Sequence, residues 1–341
     1  MPILPNLREA VQTLTAETFE KVALQVFHYQ SIHNPVYREY LSHLRVRPDQ
    51  ICRLSAVPFL PIGFFKHHRV LTGAPTVQTI FESSGTTGTQ TSRHLVADLE
   101  WYNEISIETF EQTYGPLSEY HVLALLPSYL ERNNSSLVYM VQQFIAKSDS
   151  PVSGFFLHNV DELLEVLKTL AQCTDGRKVL LWGVTFALLD VAESGKDVGY
   201  LKNIPELVVM ETGGMKGRRR EMLREEVHEV LTKAFGVRSI HSEYGMTELL
   251  SQSYSKGEGV FDISRTMRIL LRDMNDPFSV VDSPQAGMRY GGINVVDLGN
   301  LDSCAFIETQ DLGRFVGETF AQFEVIGRFD NSDVRGCNLL I

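Results

Sequence analysis

The residues with the clearest chemical potential form a short loop of hydroxyl groups and glycines within the segment Phe81-Glu-Ser-Ser-Gly-Thr-Thr-Gly88. Its two glycines let the backbone approach a ligand where a Cβ would block it, and the other four residues offer hydroxyl and main-chain N–H groups to phosphate oxygens. The candidate triphosphate-binding residues are Ser83, Ser84, Gly85, Thr86, Thr87 and Gly88. No Gly-Lys-Ser/Thr follows, so this is not a Walker A loop. The alternative is an ordinary Ser/Thr turn.

A second candidate segment is His241-Ser-Glu-Tyr-Gly-Met-Thr-Glu248, which follows a strand that we predict at Val237 to Ile240. Loops at the carboxyl ends of such strands commonly bind ligands. Tyr244 can present a flat face to adenine, Thr247 a hydroxyl to phosphate, and Glu248 a carboxylate to a Mg²⁺ ion that also binds phosphate oxygens. Gly245 and Met246 complete this candidate loop. A string this short also occurs in ordinary turns, so its weight depends on the other segments.

A third segment, Glu211-Thr-Gly-Gly-Met-Lys216, comes directly after an apolar run. Gly213 and Gly214 allow the backbone to lie close to a flat base, with Met215 beside them. The alternative for this segment is the first turn of a helix.

Two later side chains are candidates for the sugar and the phosphates. Asp311 lies in Thr309-Gln-Asp-Leu-Gly-Arg314 and can bind ribose hydroxyls, and Arg328 lies in Gly327-Arg-Phe-Asp330 and can reach ribose or phosphate. A single Asp or Arg in such a loop is more often a solvated turn residue.

The elements that must position these residues alternate between strands and helices. His121 to Leu126, Lys178 to Trp182 and Glu206 to Met210 are short apolar runs typical of buried strands. The apolar stripe from Met222 to Phe235 predicts a helix that ends at Gly236. The chain from Arg265 onward has shorter extended patches between turn residues. We therefore predict an α/β fold with a β-rich C-terminal part.

Composition limits the classes of function. The 341 residues are 43% hydrophobic, enough for a sizeable core in one large domain or two unequal ones. The net charge of −11 argues against nucleic acid as a partner. The sequence shows no secretory signal and no apolar run near the roughly 18 residues of a membrane span, so we expect a cytoplasmic protein. The cysteines are scattered, which predicts reduced thiols rather than disulfides or a zinc site; they are Cys52, Cys173, Cys304 and Cys337.

The type and order of these segments resemble the core motifs of the adenylate-forming superfamily of acyl-CoA synthetases, peptide-synthetase adenylation domains and luciferases. Within it, the chain looks like the short acyl-protein synthetases, the LuxE-type luciferin-component ligases that supply fatty acyl groups to the bacterial bioluminescence reductase. The likeness covers most of the chain. The phrases that carry it are Phe27-His-Tyr-Gln30, Asn34-Pro-Val-Tyr-Arg38, Leu126-Pro-Ser-Tyr-Leu-Glu-Arg132, Ser135-Ser-Leu-Val138, Glu211-Thr-Gly-Gly-Met-Lys-Gly217 and Arg335-Gly-Cys337.

The resemblance implies an N-terminal adenylate-forming domain whose mobile C-terminal domain is absent or truncated. From the positions of the motifs we place an α/β core at 1–264, a β-rich subdomain at 265–326 and a short tail at 327–341. ATP and Mg²⁺ would activate a carboxylic acid, expected to be a fatty acid, and the acyl group would pass to the thiol of Cys337. By the same likeness, Ser83 to Gly88 would hold the triphosphate and Asp311 the ribose.

The remaining implied roles concern adenine, the metal and the partner. Gly213, Gly214 and Tyr244 would hold adenine, and Thr247 and Glu248 would manage phosphate and Mg²⁺. An acyl reductase or another thiol-bearing carrier would receive the acyl group. The oligomeric state is not predicted.

Departures from the family pattern leave alternatives open. The phosphate loop continues with Thr89-Gln-Thr-Ser-Arg93 instead of a proline and a lysine, so Arg93 is a candidate replacement cation. Only residues 331–341 follow Asp330, where larger relatives carry a domain with a charge-stabilising lysine. One alternative is release of the acyl group to coenzyme A or a carrier, with Cys337 structural. Another is a nucleotide-binding scaffold without turnover.

Overall fold

A computed structural model of the protein describes residues 3–83, 90–126, 134–156, 159–172, 175–213, 219–220, 222–281, 290–317 and 321–329. Helices and strands alternate through the first two thirds of the chain, and strands dominate the remainder. The helices are α1 (Ile3–Gln12), α2 (Phe19–His33), α3 (Pro35–His43), α4 (Phe64–His67), α5 (Leu99–Tyr114), α6 (Ser136–Ser148), α7 (Val160–Gln172), α8 (Thr185–Ala192) and α9 (Arg224–Phe235).

The strands belong to one large sheet and one separate hairpin. They are β1 (Leu60–Pro61), β2 (Thr79–Glu82), β3 (Arg93–Val96), β4 (Tyr120–Leu125), β5 (Gly154–Phe155), β6 (Lys178–Val184), β7 (Leu207–Thr212), β8 (His241–Tyr244), β9 (Ser253–Ser255), β10 (Val260–Asp262), β11 (Met267–Arg272), β12 (Val280–Val281), β13 (Gly291–Asp297), β14 (Phe306–Phe315) and β15 (Gln322–Arg328).

The large sheet has a parallel half and an antiparallel half. Its order is β12-β11-β13-β14-β15-β10-β9-β8-β7-β6-β4-β5, with β1 alongside β14, and the hairpin is formed by β2 and β3. The strands from β5 to β8 pair in parallel, and β8 pairs with β9 in the antiparallel sense. The core of the parallel half is apolar: every residue of β4 is buried, as are most of those in β6. The α/β alternation and the β-rich end are therefore confirmed.

The helix that we predicted before Gly236 is also confirmed, and its end has a clear cause. Gly236 has φ +66°, a left-handed conformation that glycine adopts without strain, and its N–H donates to the carbonyl of Thr232. A Cβ at Gly236 would lie 3.0 Å from the Cβ of Lys202, so α9 also packs closely there.

The strand that we predicted at Val237 to Ile240 is wrong, because the strand in this part of the chain, β8, begins only at His241. Residues 237–240 instead carry the chain from the end of α9 to the sheet, and Ile240 is buried there without strand pairing. β8 itself is polar and pairs with β7 and β9. Tyr244 therefore ends a strand, and the candidate loop starts at Gly245.

Among the residues placed in the structure, no helix is both long and apolar enough to cross a membrane. Within the same residues, Cys52 is an exposed free thiol and Cys304 a buried one. Burial raises the pKa of Cys304 to about 12, so this thiol stays protonated. It is a core residue rather than a nucleophile.

Candidate functional site

Three of the predicted residues meet through hydrogen bonds at the end of β8. The hydroxyl of Tyr244 donates to Oδ2 of Asp311 at 3.0 Å, and Nε of Arg328 donates to Oδ1 of Asp311 at 3.0 Å. Asp311 and Arg328 are cross-strand partners on β14 and β15, which explains their approach. The side chain of Asp311 is 9% exposed and that of Arg328 70%. A buried carboxylate thus holds a cation that faces solvent, an arrangement that suits a polyhydroxyl or phosphate ligand.

The ring of Tyr244 lies in an aromatic cluster. Its centroid is 5.9 Å from that of Phe261 and 5.3 Å from that of Phe323, and the residue is 8% exposed. Burial is the main reason that the pKa of Tyr244 is raised well above its usual value. Tyr244 is therefore a neutral hydrogen-bond donor to Asp311, and stacking of adenine on its ring stays a prediction.

The hairpin that leads into the hydroxyl loop is attached to Glu248. Ser83 and Ser92 face each other: the N–H of Ser83 donates to the carbonyl of Ser92 at 3.0 Å, and the N–H of Ser92 donates to Oγ of Ser83 at 2.9 Å. Burial raises the pKa of Glu248, although the Ser92 hydroxyl and the charges of Arg328 and Lys66 favour its ionised form. Glu248 is thus close enough for both the Ser92 hydroxyl and the charge of Arg328 to act on its carboxyl.

A second contact holds the same hairpin in place. Nδ1 of His94, on β3, lies 2.7 Å from the carbonyl oxygen of Thr247. Burial lowers the pKa of His94 to about 4, so at neutral pH the imidazole carries one N–H, which the carbonyl fixes on Nδ1. His94 therefore fixes the backbone of Thr247 and leaves the Thr247 hydroxyl for another partner.

Asp297, at the end of β13, holds the backbone that follows Glu248. Its carboxylate accepts the N–H groups of Leu250 and Ser251 at 2.7 and 3.1 Å and the Ser251 hydroxyl at 2.6 Å. Nδ2 of Asn300 donates to Asp297 at 3.1 Å and to the carbonyl of Glu248 at 2.8 Å. Sequence analysis singled out neither Asp297 nor Asn300 for the site; an Asp two residues before Gly299-Asn300 was the available signal.

The ends of β7 and β8 carry two glutamates on opposite faces of the sheet. Thr185 donates to Oε2 of Glu211 at 2.6 Å on the face of α8 and α9, where Nε2 of His228 lies 3.8 Å from Oε1 of Glu211. On the other face, Thr212 donates to Oε2 of Glu243 at 2.6 Å. Sequence reasoning singled out none of these five side chains for chemistry.

Their environments shift the two carboxyl pKa values in opposite directions. Burial on its own would raise the pKa of Glu211, but hydrogen bonds and charge from the surrounding side chains, His228 foremost, outweigh it and lower the pKa. Burial raises the pKa of Glu243 to about 7, with only the Thr212 hydroxyl acting against it. Glu211 is a charged structural group, and Glu243 titrates near neutrality.

The remaining predicted residues are partly described. Gly213 has φ +80° directly after β7, and a Cβ at Gly245 would collide with Oε1 of Glu243, so both positions favour glycine. The carbonyl of Met246 accepts the N–H of Leu249 at 3.1 Å. Several predicted residues lie outside the described ranges: Ser84, Gly85, Thr86, Thr87, Gly88, Gly214, Met215 and Cys337.

Two cations flank the site. Arg93, the candidate replacement cation, is exposed on β3 opposite Glu82. Lys66, at the end of α4, was missed by sequence reasoning, yet its charge acts on Glu248. Within the described ranges no three or more His, Cys, Asp or Glu side chains form a metal-binding group. One carboxylate, Glu248, is nevertheless enough for Mg²⁺ that is otherwise bound by phosphate oxygens and water.

Comparison with solved structures defines the class of fold. The acyl acid amido synthetase AtGH3.15 in complex with 2,4-DB superposes with a TM-score of 0.53 at 11% identity, covering 96% of this chain and 70% of that one. The adenylation domain of a keto acid-selecting NRPS module, bound to a keto acyl adenylate, gives 0.44 at 10% identity, covering 75% and 55%. No family model matches the chain, and no curated protein does. The chain has the α/β fold of adenylate-forming enzymes.

Proposed function

We propose that the protein activates a carboxylic acid with ATP, forming an acyl-adenylate and pyrophosphate. The observation that carries the proposal is the convergence of separate segments of the chain at the carboxyl end of β8. Tyr244, Asp311 and Arg328 are joined there by hydrogen bonds. The hydroxyl of Ser92 and the charge of Arg328 both act to lower the pKa of Glu248. The fold agrees with this chemistry, because adenylate-forming enzymes share it.

Each candidate residue has a role in the proposed first step. Asp311 binds ribose hydroxyls, Arg328 and the Thr247 hydroxyl bind phosphate oxygens, and the residues Ser83 to Gly88 would hold the triphosphate. Glu248 would hold Mg²⁺, and the ion would neutralise part of the phosphate charge. An oxygen of the substrate carboxylate attacks the α-phosphorus, the bond to the oxygen that bridges to the β-phosphate breaks, and pyrophosphate leaves with that oxygen. Positioning and charge neutralisation account for most of the catalysis of such a step.

For the second step we propose transfer to the thiol of Cys337, as the resemblance to acyl-protein synthetases implies. The thiolate sulfur attacks the acyl carbon, the bond between that carbon and the phosphate oxygen breaks, and AMP leaves. The thiol proton goes to solvent or a nearby base. The resulting thioester would then pass to an acyl reductase or another thiol-bearing carrier.

The first step is tested by acid-dependent exchange of labelled pyrophosphate into ATP over a panel of carboxylic acids. We compare the wild type with Glu248→Gln and with Glu229→Gln, an exposed glutamate on α9. The proposal requires exchange with at least one acid, a loss of about 100-fold or more in Glu248→Gln, and no loss in Glu229→Gln. Binding of ATP without exchange in any acid would instead support a nucleotide-binding scaffold.

The second step is tested by labelling with radioactive acid and ATP. We compare the wild type with Cys337→Ser and with Cys52→Ser, which removes an exposed thiol. Only Cys337→Ser should lose the covalent acyl label while keeping pyrophosphate exchange. A label that survives in Cys337→Ser, or acyl release that requires coenzyme A, would contradict Cys337 as the acceptor.

A further inference from the structure

Among the described residues, Glu243, at the carboxyl end of β8, accepts a hydrogen bond at only one of its two carboxyl oxygens. Oε2 accepts the Thr212 hydroxyl at 2.6 Å. In the part of the chain that the structure describes, no hydrogen bond reaches Oε1 and no cationic side chain pairs with Glu243. Oε1 lies in the space that Gly245 leaves by having no Cβ. Gly245 opens the loop that leads to Glu248, so this free oxygen borders the candidate site.

Two more polar atoms beside Glu243 have no partner among the described residues. Tyr254 is directly opposite Glu243 on β9, and its hydroxyl is buried and unpaired. Oε1 of Gln252 is also buried and unpaired, and Cγ of Gln252 lies 3.4 Å from where a Cβ of Gly245 would be. Tyr254 is 1% exposed and Gln252 3%. Buried polar atoms nearly always have a partner, so the unpaired Gln252 oxygen and Tyr254 hydroxyl beside Glu243 indicate a ligand that supplies one.

The hydrogen-bond donors and acceptors among these three groups specify the chemistry of that ligand. Glu243 and Gln252 offer oxygen acceptors, and the Tyr254 hydroxyl can either donate or accept. Burial raises the pKa of Glu243 to about 7, since no cation pairs with the carboxyl among the described residues. A hydrogen-bond donor on a ligand would lower this pKa again. Glu243 is also partly accessible, whereas its neighbours on β8 and β9, Ser242, Tyr244 and Tyr254, are buried.

We propose that Glu243, with Gln252 and Tyr254, recognises a hydrogen-bond donor on the body of the acid substrate, either a hydroxyl or a protonated amine. The inference rests on the proposed function, since it places the acid beside the loop where its carboxylate is activated. The substrate class is then a hydroxylated or amino-substituted carboxylic acid. An unsubstituted fatty acid, which the sequence resemblance favours, would leave all three polar groups unpaired against an alkyl chain.

Matched pairs of acids test this selectivity by pyrophosphate exchange. Each hydroxy or amino acid is compared with the unsubstituted acid of equal carbon skeleton, over short, medium and aromatic skeletons. For the best pair we expect a kcat/KM at least about 100-fold higher for the substituted acid in the wild type. Glu243→Leu should shrink or reverse that ratio, while Glu229→Gln should leave it unchanged.

A second variant separates the two donors. Glu243→Gln keeps an acceptor oxygen but no charge, so it should retain exchange with a hydroxy acid and lose most of it with a protonated amino acid. Thermal melting confirms that both variants are folded. If both members of every pair support equal exchange, or if the ratio of their kcat/KM values is unchanged in Glu243→Leu, this inference is wrong while adenylation is still supported. Absence of exchange with every acid overturns adenylation and this inference with it.

Discussion

Glu248 and the groups around it illustrate how single residues define the site. The residue is 5% exposed, and burial alone disfavours the charge of its carboxyl. The Ser92 hydroxyl and the charges of Arg328 and Lys66 act in the opposite direction, so the ionised form needed to bind Mg²⁺ depends on these neighbours. Lys66 lies in the last turn of α4, and its positive charge is one of the contributions that favour the ionised form of Glu248.

Replacing Lys66 tests whether that charge is used. We expect Lys66→Met to lower kcat/KM for ATP in pyrophosphate exchange by roughly tenfold, because a cation that stabilises phosphate charge is removed. Lys66→Arg should retain most of the activity. Lys233→Met removes an exposed lysine from α9 and serves as the control. An unchanged kcat/KM in Lys66→Met would show that Lys66 takes no part.

The hydroxyl of Tyr244 provides a second test at the residue scale. Tyr244→Phe keeps the ring against Phe261 and Phe323 but removes the donor to Asp311. Without this hydrogen bond to Asp311, ATP binding should weaken by about 1 kcal/mol, which raises the KM for ATP roughly fivefold. Tyr200→Phe removes a comparable hydrogen bond to the Leu164 carbonyl and should leave this KM unchanged. Equal KM values in the two variants would contradict a nucleotide-binding role for Asp311.

At the scale of elements, the ends of β7 and β8 explain both a failed and a successful prediction. The apolar run at Glu206 to Met210 was correctly expected to be a strand, and β7 continues through the polar Glu211 and Thr212. β8 was misplaced because its residues are polar. Their hydrogen bonds are made to groups distant in sequence, such as Glu243 to Thr212, and local periodicity carries no information about such partners. Polar residues at the ends of strands are expected where a fold contains a ligand-binding site.

The two glutamates on these strands should affect stability in opposite ways. The folded-state pKa of Glu243 is raised to about 7 from 4.5, so ionisation destabilises the folded protein progressively from about pH 4.5 to 7. Glu243→Gln should therefore be more stable than the wild type above pH 7, by roughly 1 to 3 kcal/mol. The pKa of Glu211 is lowered, so its charge stabilises the fold above its unfolded-state pKa. Glu211→Gln should then be less stable near pH 7, by roughly 1 kcal/mol.

Urea unfolding at pH 5 and pH 8 measures both differences. The gain in Glu243→Gln should shrink at pH 5, because the carboxyl of the folded wild type is then largely protonated. The loss in Glu211→Gln should persist at pH 5 and fade only as the pH falls through the folded-state pKa of Glu211. Destabilisation of similar size in both variants at pH 8 would contradict the assigned environments.

At the scale of the whole molecule, the site depends on one sheet that joins two halves of the chain. Tyr244 comes from the parallel half, and Asp311 and Arg328 come from the antiparallel half, with β9 and β10 between them. The order of motifs and the alternation of elements were predictable from sequence. The pairing of β10 with β15 was not, because it joins segments far apart in the chain.

The N-terminal helices support the site from a distance. Nε2 of Gln30, on α2, donates to the carbonyl of Asn300 at 2.8 Å, and its Oε1 accepts the N–H of Ala305 at 2.9 Å. Nδ2 of Asn34 donates to the carbonyl of Ser303 at 3.0 Å. Asn300 in turn holds the backbone of Glu248. Two phrases of the family resemblance, which include Gln30 and Asn34, thus have a structural role here that the sequence alone did not reveal.

The most direct test of the account is the fate of ATP in the presence of an acid that the protein accepts. ATP labelled at the α- or the γ-phosphate distinguishes the two possible sites of attack. The account predicts AMP and pyrophosphate in equal amounts, formed only when the acid is present. Acid-dependent formation of ADP and phosphate would place the attack at the γ-phosphate and contradict activation through an acyl-adenylate.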